Sequence, residues 1–113
     1  MSKLIAQLAD VLEEIVRVKQ RQVGFRSARQ LRQGAVSHVA KKYGVTENTV
    51  ADGFIRRLRP DIGSTAEFDT AVDLWLKGKP RKLTSTLLRH IKDAPDAARV
   101  FEAIEAWNEA RGS

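Results

Sequence analysis

The stretch that decides the fold is Val36–Leu58, VSHVAKKYGVTENTVADGFIRRL. Its apolar positions do not alternate, as a strand would require. Val36, Val39, Ala40 and Tyr43 recur at three- and four-residue spacing, then Val50, Phe54, Ile55 and Leu58 do the same. Between the two sets stand Gly44, which tolerates a left-handed backbone, and Thr46, whose hydroxyl can cap a helix start. The segment therefore reads as two helices joined by a tight turn, the second over about 47–58 and stopped by Pro60.

Helical periodicity extends in both directions. Upstream, Leu4, Leu8, Val11, Ile15 and Val18 form a seam over residues 3–22, widened by Ile5, Leu12 and Val16, with Ser2 as a cap and Gly24 as a stop. That spacing is close to a coiled-coil seam. It can bury against the chain's other helices or against a second copy, and the former is preferred. Ser27 caps the next helix, in which Gly34 is a candidate break. Downstream, 61–65 reads as a loop, and Ser64 with Glu67 forms a capping-box pattern. The helix it opens carries Phe68, Ala71, Val72, Trp75 and Leu76 and closes at Gly78. Residues 78–82 (GKPRK) read as a turn and 84–91 as a short helix. A last helix is expected from Asp93 or Ala94, with Pro95 in its first turn and Ala97, Val100, Phe101, Ile104 and Trp107 as its stripe. The expectation is an all-α, compact bundle of six or seven helices, forming one domain over 1–113 with a C-terminal helical part at 64–110.

Composition limits the chemistry. The 113 residues contain no cysteine, which excludes disulfides, a thiol nucleophile and thiolate zinc sites. His38 and His90 lie 52 residues apart, and no Gly-rich phosphate loop is present. The carboxylates Asp10, Glu13 and Glu14, and likewise Glu102, Glu105 and Glu109, read as polar helix faces. No enzyme, cofactor or metal site is expected. Trp75 and Trp107 read as core residues rather than stacking platforms. Apolar runs are too short to cross a membrane, the N-terminus does not resemble a signal peptide, and a cytoplasmic setting is expected.

Charge is more informative. Twenty Lys and Arg stand against fourteen Asp and Glu, a net of +6. No carboxylate occurs between Ile15 and Thr46, where Arg17, Lys19, Arg21, Arg26, Arg29, Arg32, Lys41 and Lys42 all fall. A second acid-free stretch, Leu74–Lys92, carries Lys77, Lys79, Arg81, Lys82, Arg89 and Lys92. Solvated helices usually mix both signs, because opposite charges four residues apart support each other. Blocks of one sign suit a partner that brings the counter-charge, and a phosphate backbone is the commonest. A surface kept basic for solubility is the plainer alternative.

Residues 36–58 resemble the helix-turn-helix motif of DNA-binding proteins. Ala40 fits the small residue that lets the second helix approach, Gly44 the turn, Val45 an apolar residue tucked beneath it, and Val50 the inward residue of the second helix. Gly53 is a departure, since an apolar residue usually packs inward one turn after Val50, and glycine costs helix stability about 1 kcal/mol relative to alanine. The resemblance implies double-stranded DNA as partner, with the helix from Glu47 in the major groove. Glu47, Asn48, Ala51 and Asp52 would face base edges. Thr46, Thr49, Arg26, Arg29, Arg32, Lys41, Lys42, Arg56 and Arg57 would face phosphates. For Glu47 the competing reading is helix-dipole stabilisation, and for Asp52 a local pair with Arg56. Residues 20–27 could instead form an arm for a minor groove, read by Arg21 and Arg26. A protein–protein or homodimerisation module working through the first helix, and an RNA-binding domain, are the alternative functions.

Overall fold

The computed structural model describes residues 4–21, 26–62 and 64–112, with side chains at all of these except 54, 55, 57–62 and 112. Six helices account for nearly all of them: α1 (Leu4–Arg21), α2 (Ala28–Tyr43), α3 (Glu47–Ile62), α4 (Thr65–Leu76), α5 (Arg81–Ile91) and α6 (Ala97–Gly112). No strand occurs among the described residues. The fold is an all-α bundle, as the periodicity predicts. The expectations for Ser2 and Gly24 lie outside the described residues, as do residues 22–25 of the arm considered at 20–27. Of the rest of that segment, Gln20 and Arg21 belong to α1, Arg26 is exposed and Ser27 caps α2.

α1 organises the bundle. Ten of its 18 residues are buried, too many for a single stripe, and it packs against α2, α3 and α6. Its seam is therefore covered within the chain. Leu8, Val11, Leu12 and Ile15 join Leu31, Val39, Val50, Phe68, Val72, Trp75, Leu83, Leu87, Val100 and Ile104 in one contiguous apolar cluster drawn from all six helices. Burying each such side chain contributes about 1.5–3 kcal/mol relative to leaving it in water. Both tryptophans are core residues that also satisfy their N–H groups. Trp75 Nε1 donates to the Ile104 carbonyl at 3.2 Å, and Trp107 Nε1 to the Leu76 carbonyl at 3.1 Å. These two bonds tie α4 to α6.

Helix ends follow local chemistry. At Ser27 a full capping box forms, with Gln30 N–H donating to Ser27 Oγ at 3.2 Å and Ser27 N–H donating to Gln30 Oε1 at 3.0 Å. Ser64 Oγ accepts the Glu67 N–H at 3.3 Å and starts α4. Four features differ from expectation. α2 runs unbroken through Gly34, because a glycine lowers helix propensity without removing a backbone hydrogen bond. α3 passes Pro60 and ends at Ile62. Proline's fixed φ is compatible with a helix, so Pro60 is accommodated in the last turn at the cost of one backbone hydrogen bond. α5 begins at Arg81, with Pro80 rather than Thr84 at its start, whereas α6 begins only at Ala97. Before α6, residues 92–96 form turns in which Asp96 takes φ 70°, a conformation that aspartate tolerates better than most residues. Pro95 thus lies in this turn and not in a helix.

Candidate nucleic-acid interface

The α2–α3 junction is built by a C-terminal cap. Gly44 takes φ 67°, ψ 34°. Its N–H donates to the Lys41 carbonyl at 3.3 Å, and the Val45 N–H donates to the Ala40 carbonyl at 3.0 Å. This pair of bonds is a Schellman motif, which needs a left-handed residue at its centre and so favours glycine. Thr46 then restarts the chain as a helix. Its Oγ1 accepts the Thr49 N–H at 3.1 Å, and the two threonine hydroxyls lie 2.7 Å apart in a hydrogen bond of their own. The turn is therefore three residues, Gly44–Thr46.

Val50, wholly buried, fixes the inner side of α3 against Val39 and the rest of the core. Gly53 serves a second contact. A Cβ there would sit 2.8 Å from Leu4 Cδ1, so the glycine makes room for the start of α1. That contact is absent from the local pattern and accounts for the departure at Gly53. Val45 does not tuck beneath the turn as expected. It is 38% exposed, because the Schellman bond uses its backbone and leaves its side chain outward.

The outer side of α3 is bare. Glu47, Asn48, Thr49, Asp52 and Arg56 are exposed, and Ala51 is half-buried where it meets the core. Two small open grooves flank the helix. One of about 290 Å³ is lined by Asn48, Thr49, Asp52, Gly53 and Arg56. The other, about 220 Å³, lies between α2 and α3 along Arg32, Gln33, Val36, Glu47, Asn48 and Ala51. Both fall below the 300–1,000 Å³ typical of small-molecule pockets. Asn48 borders both grooves. Asp52 Oδ2 lies 3.9 Å from Arg56 on the next turn, the local pair weighed against a base contact. Glu47 stands in the first turn, where a carboxylate is stabilised by the helix dipole.

The cations expected to meet phosphate divide into two groups. Arg26, Arg29 and Lys41 are exposed. Arg32 is not available: its side chain is 11% exposed and grips Asp69 of α4 through Nε at 2.6 Å and Nη2 at 3.0 Å. It faces α4 rather than solvent, and that bidentate pair joins α2 to α4. Lys42 stands between the groups, exposed yet with Nζ 3.2 Å from Asp10 Oδ2 and 5.7 Å from the centre of the Tyr43 ring. The Arg57 side chain lies outside those described.

Carboxylates of α1 prove to be structural. Asp10 and Glu14 are buried rather than part of a polar face. Asp10 accepts from Tyr43 Oη at 2.6 Å, from Lys42 Nζ at 3.2 Å and from Arg99 Nη2 at 2.6 Å. One side chain thereby fastens the end of α2 and the start of α6 to α1. Burial pushes the Asp10 carboxyl up, but the hydrogen bonds from Tyr43, Arg99 and Lys42 outweigh it and hold the carboxyl below its usual range. The bond to Asp10, helped by burial, pushes the Tyr43 hydroxyl up to about 12. Glu14 pairs with Arg17 and approaches His38 Nε2 at 3.4 Å. Glu13 accepts from Arg99 Nη2 at 2.9 Å. Sequence reasoning missed this network, whose partners lie up to 89 positions apart and leave no local periodic trace.

Among the described residues no group of three or more metal-ligating side chains converges, and no helix is long and apolar enough to cross a membrane. Compared with protein-family models, with curated proteins and with solved structures, the chain matches none.

Proposed function

We propose that this domain binds double-stranded DNA with α3 as the recognition helix, as a regulator or as the targeting module of a larger DNA-processing protein. One observation carries the reading. α3 is anchored on one side by buried Val50, while Glu47, Asn48, Thr49 and Asp52 beside it stand clear of the core. A helix inserted into a major groove needs that division, with its polar N-terminal face free of its own protein. Asn48 is placed to pair with an adenine edge, and Ala51 is small enough to meet a thymine methyl. Arg26, Arg29 and Lys41 supply exposed positive charge, whereas Lys42, exposed itself, is engaged with buried Asp10 and reaches a phosphate only by giving up that bond. Arg32 is withdrawn from this set. Arg56 stands 3.9 Å from Asp52, and its positive charge lessens the repulsion of phosphates by that carboxylate. Homodimerisation through α1 finds less support, since the seam it would use is buried within the chain. A cytoplasmic setting accords with this reading.

The test is selection of bound duplexes from a randomised pool, followed by titration of Asn48→Ala. A preferred sequence should emerge. On it, Asn48→Ala should weaken binding by about 1–3 kcal/mol, roughly tenfold to a hundredfold, with random duplex bound as before. Equal binding of wild type and Asn48→Ala to the selected duplex refutes the groove assignment.

A further inference from the structure

We propose that the exposed face of α5 is a second binding surface for the phosphate backbone of double-stranded DNA, built from residues separate from those of α3. α5 is sharply two-sided. Leu83, Thr86, Leu87 and Ile91 are buried on the side that meets α3, α4 and α6. Arg81, Lys82, Ser85, Leu88 and Arg89 are exposed on the other side, and exposed Lys92 caps its end. Positions 82, 85, 89 and 92 follow three-four-three spacing, which places them in one row along the helix. Exposed Lys79 precedes the row in the turn before α5.

The nearest carboxylates in sequence leave three of these cations unmatched. Asp73 is engaged with Lys77, 2.8 Å away on its own helix. Asp93 is exposed beside Lys92. Among the described residues no ion pair reaches Arg81, Lys82 or Lys92. On α2 two cations, Arg32 and Lys42, are each met by a carboxylate from another helix, whereas Arg29 and Lys41 are exposed like those of α5. Cations held close together without counter-charge repel one another, and a polyanion removes that repulsion while releasing its own condensed ions.

From Arg81 to Lys92 the helix rises about 16 Å at 1.5 Å per residue, the axial length of about five nucleotides on one strand. The ligand is taken to be nucleic acid rather than membrane because Leu88 is the single large apolar side chain exposed on this face, too little to insert into a bilayer. Because α5 packs on α3 through its apolar side, the cationic row lies on the side away from that contact. It grips either a further stretch of the duplex seated on α3 or a second duplex. Both sources present the same phosphates.

The test compares wild type with the triple variant Arg81→Gln, Lys82→Gln, Lys92→Gln, in binding to random 30-base-pair duplex over a range of salt. All three positions are exposed, and unchanged helicity and Tm serve as the folding control. The log–log salt slope should fall by about 2 to 3, since each lost phosphate contact removes about 0.9. Affinity at 100 mM salt should fall at least tenfold. An unchanged slope in the folded variant overturns the proposal, even if binding to anionic vesicles is lost. Energy transfer between donor- and acceptor-labelled duplexes, present in wild type and lost in the variant, assigns the row to a second duplex. A reduced slope without such transfer assigns it to the same one. The proposal shares its ligand with the α3 reading but not its residues. The α3 reading fails if Asn48→Ala leaves sequence preference intact, whatever the triple variant does, and the α5 proposal fails on the slope alone.

Discussion

The two acid-free stretches look alike in sequence and behave differently in the fold. In the first, between Ile15 and Thr46, carboxylates from other helices reach two cations, Asp69 taking Arg32 and Asp10 taking Lys42. The adjacent Glu14 takes Arg17, while Lys19, Arg21, Arg26, Arg29 and Lys41 form no ion pair among the described residues. In the second, between Leu74 and Lys92, Lys77 pairs with the adjacent Asp73, while Arg81, Lys82 and Lys92 form no ion pair among the described residues. A run of one sign is therefore no measure of available charge. What matters is which faces the packing turns toward acids on other helices. α2 lies among α1, α3 and α4 and meets two of them through ion pairs, whereas α5 turns these three cations away from its neighbours.

That contrast can be broken most sharply at Arg32. Arg32→Ala leaves Asp69 without its guanidinium in a mostly buried site, and a loss of about 3 kcal/mol in unfolding free energy is expected by urea titration. Lys82→Ala on α5 is expected to change stability by less than about 0.5 kcal/mol, as exposed positions usually do. Similar losses at both sites would show that the two stretches do not differ in this way.

Asp10→Asn is the next largest, at about 2 kcal/mol near neutral pH, because the amide removes the negative charge and keeps only one acceptor oxygen, so that Tyr43, Lys42 and Arg99 cannot all keep their bonds. Its pH signature is more specific. A carboxyl held below its usual 3.8 stabilises the fold above that pH, and the contribution is lost as pH falls through the lowered value. Tyr43, raised from 10 to about 12, contributes stability that is complete below pH 10 and lost as pH rises toward 12. Asp10→Asn should flatten both limbs of the stability–pH profile measured by thermal melts. Retention of the wild-type acid limb would assign acid sensitivity to other carboxylates.

The smallest effect is expected at Gly34, which is exposed in the middle of α2 with open space where a Cβ would project. Gly34→Ala should stabilise by about 0.5–1 kcal/mol through helix propensity and leave the salt slope of DNA binding unaltered, since it touches none of the ion pairs. A change in that slope would mean that stiffness of α2, and not only its charge, sets the grip on phosphate.

Much of the architecture is legible in short-range pattern. Three- and four-residue spacing locates the helices, and Ser27, Gly44 and Thr46 mark ends at which the expected capping bonds form, while at Ser64 only one half of the expected box, the bond from the Glu67 N–H, is present. Val50 lies inward, as its spacing predicts. Less legible are features decided by distant neighbours. The burial of Asp10 and Glu14 depends on α2 and α6, and that of Arg32 depends on α4. Gly53 looks unfavourable within α3 alone and is explained only when Leu4 is placed beside it. Pro60 and Pro95 illustrate the reverse limit, because a proline restricts φ but does not by itself decide whether the surrounding chain is helix or turn.

The packing of α1 against α6 also sets an order on synthesis. α1 is the first of the six helices to leave the ribosome and α6 the last, yet each covers the other's apolar side. Until α6 emerges, the α1 seam is covered only by α2 and α3, and Asp10 lacks Arg99. The cover of the organising helix is therefore completed last, once translation has passed the far end of the bundle.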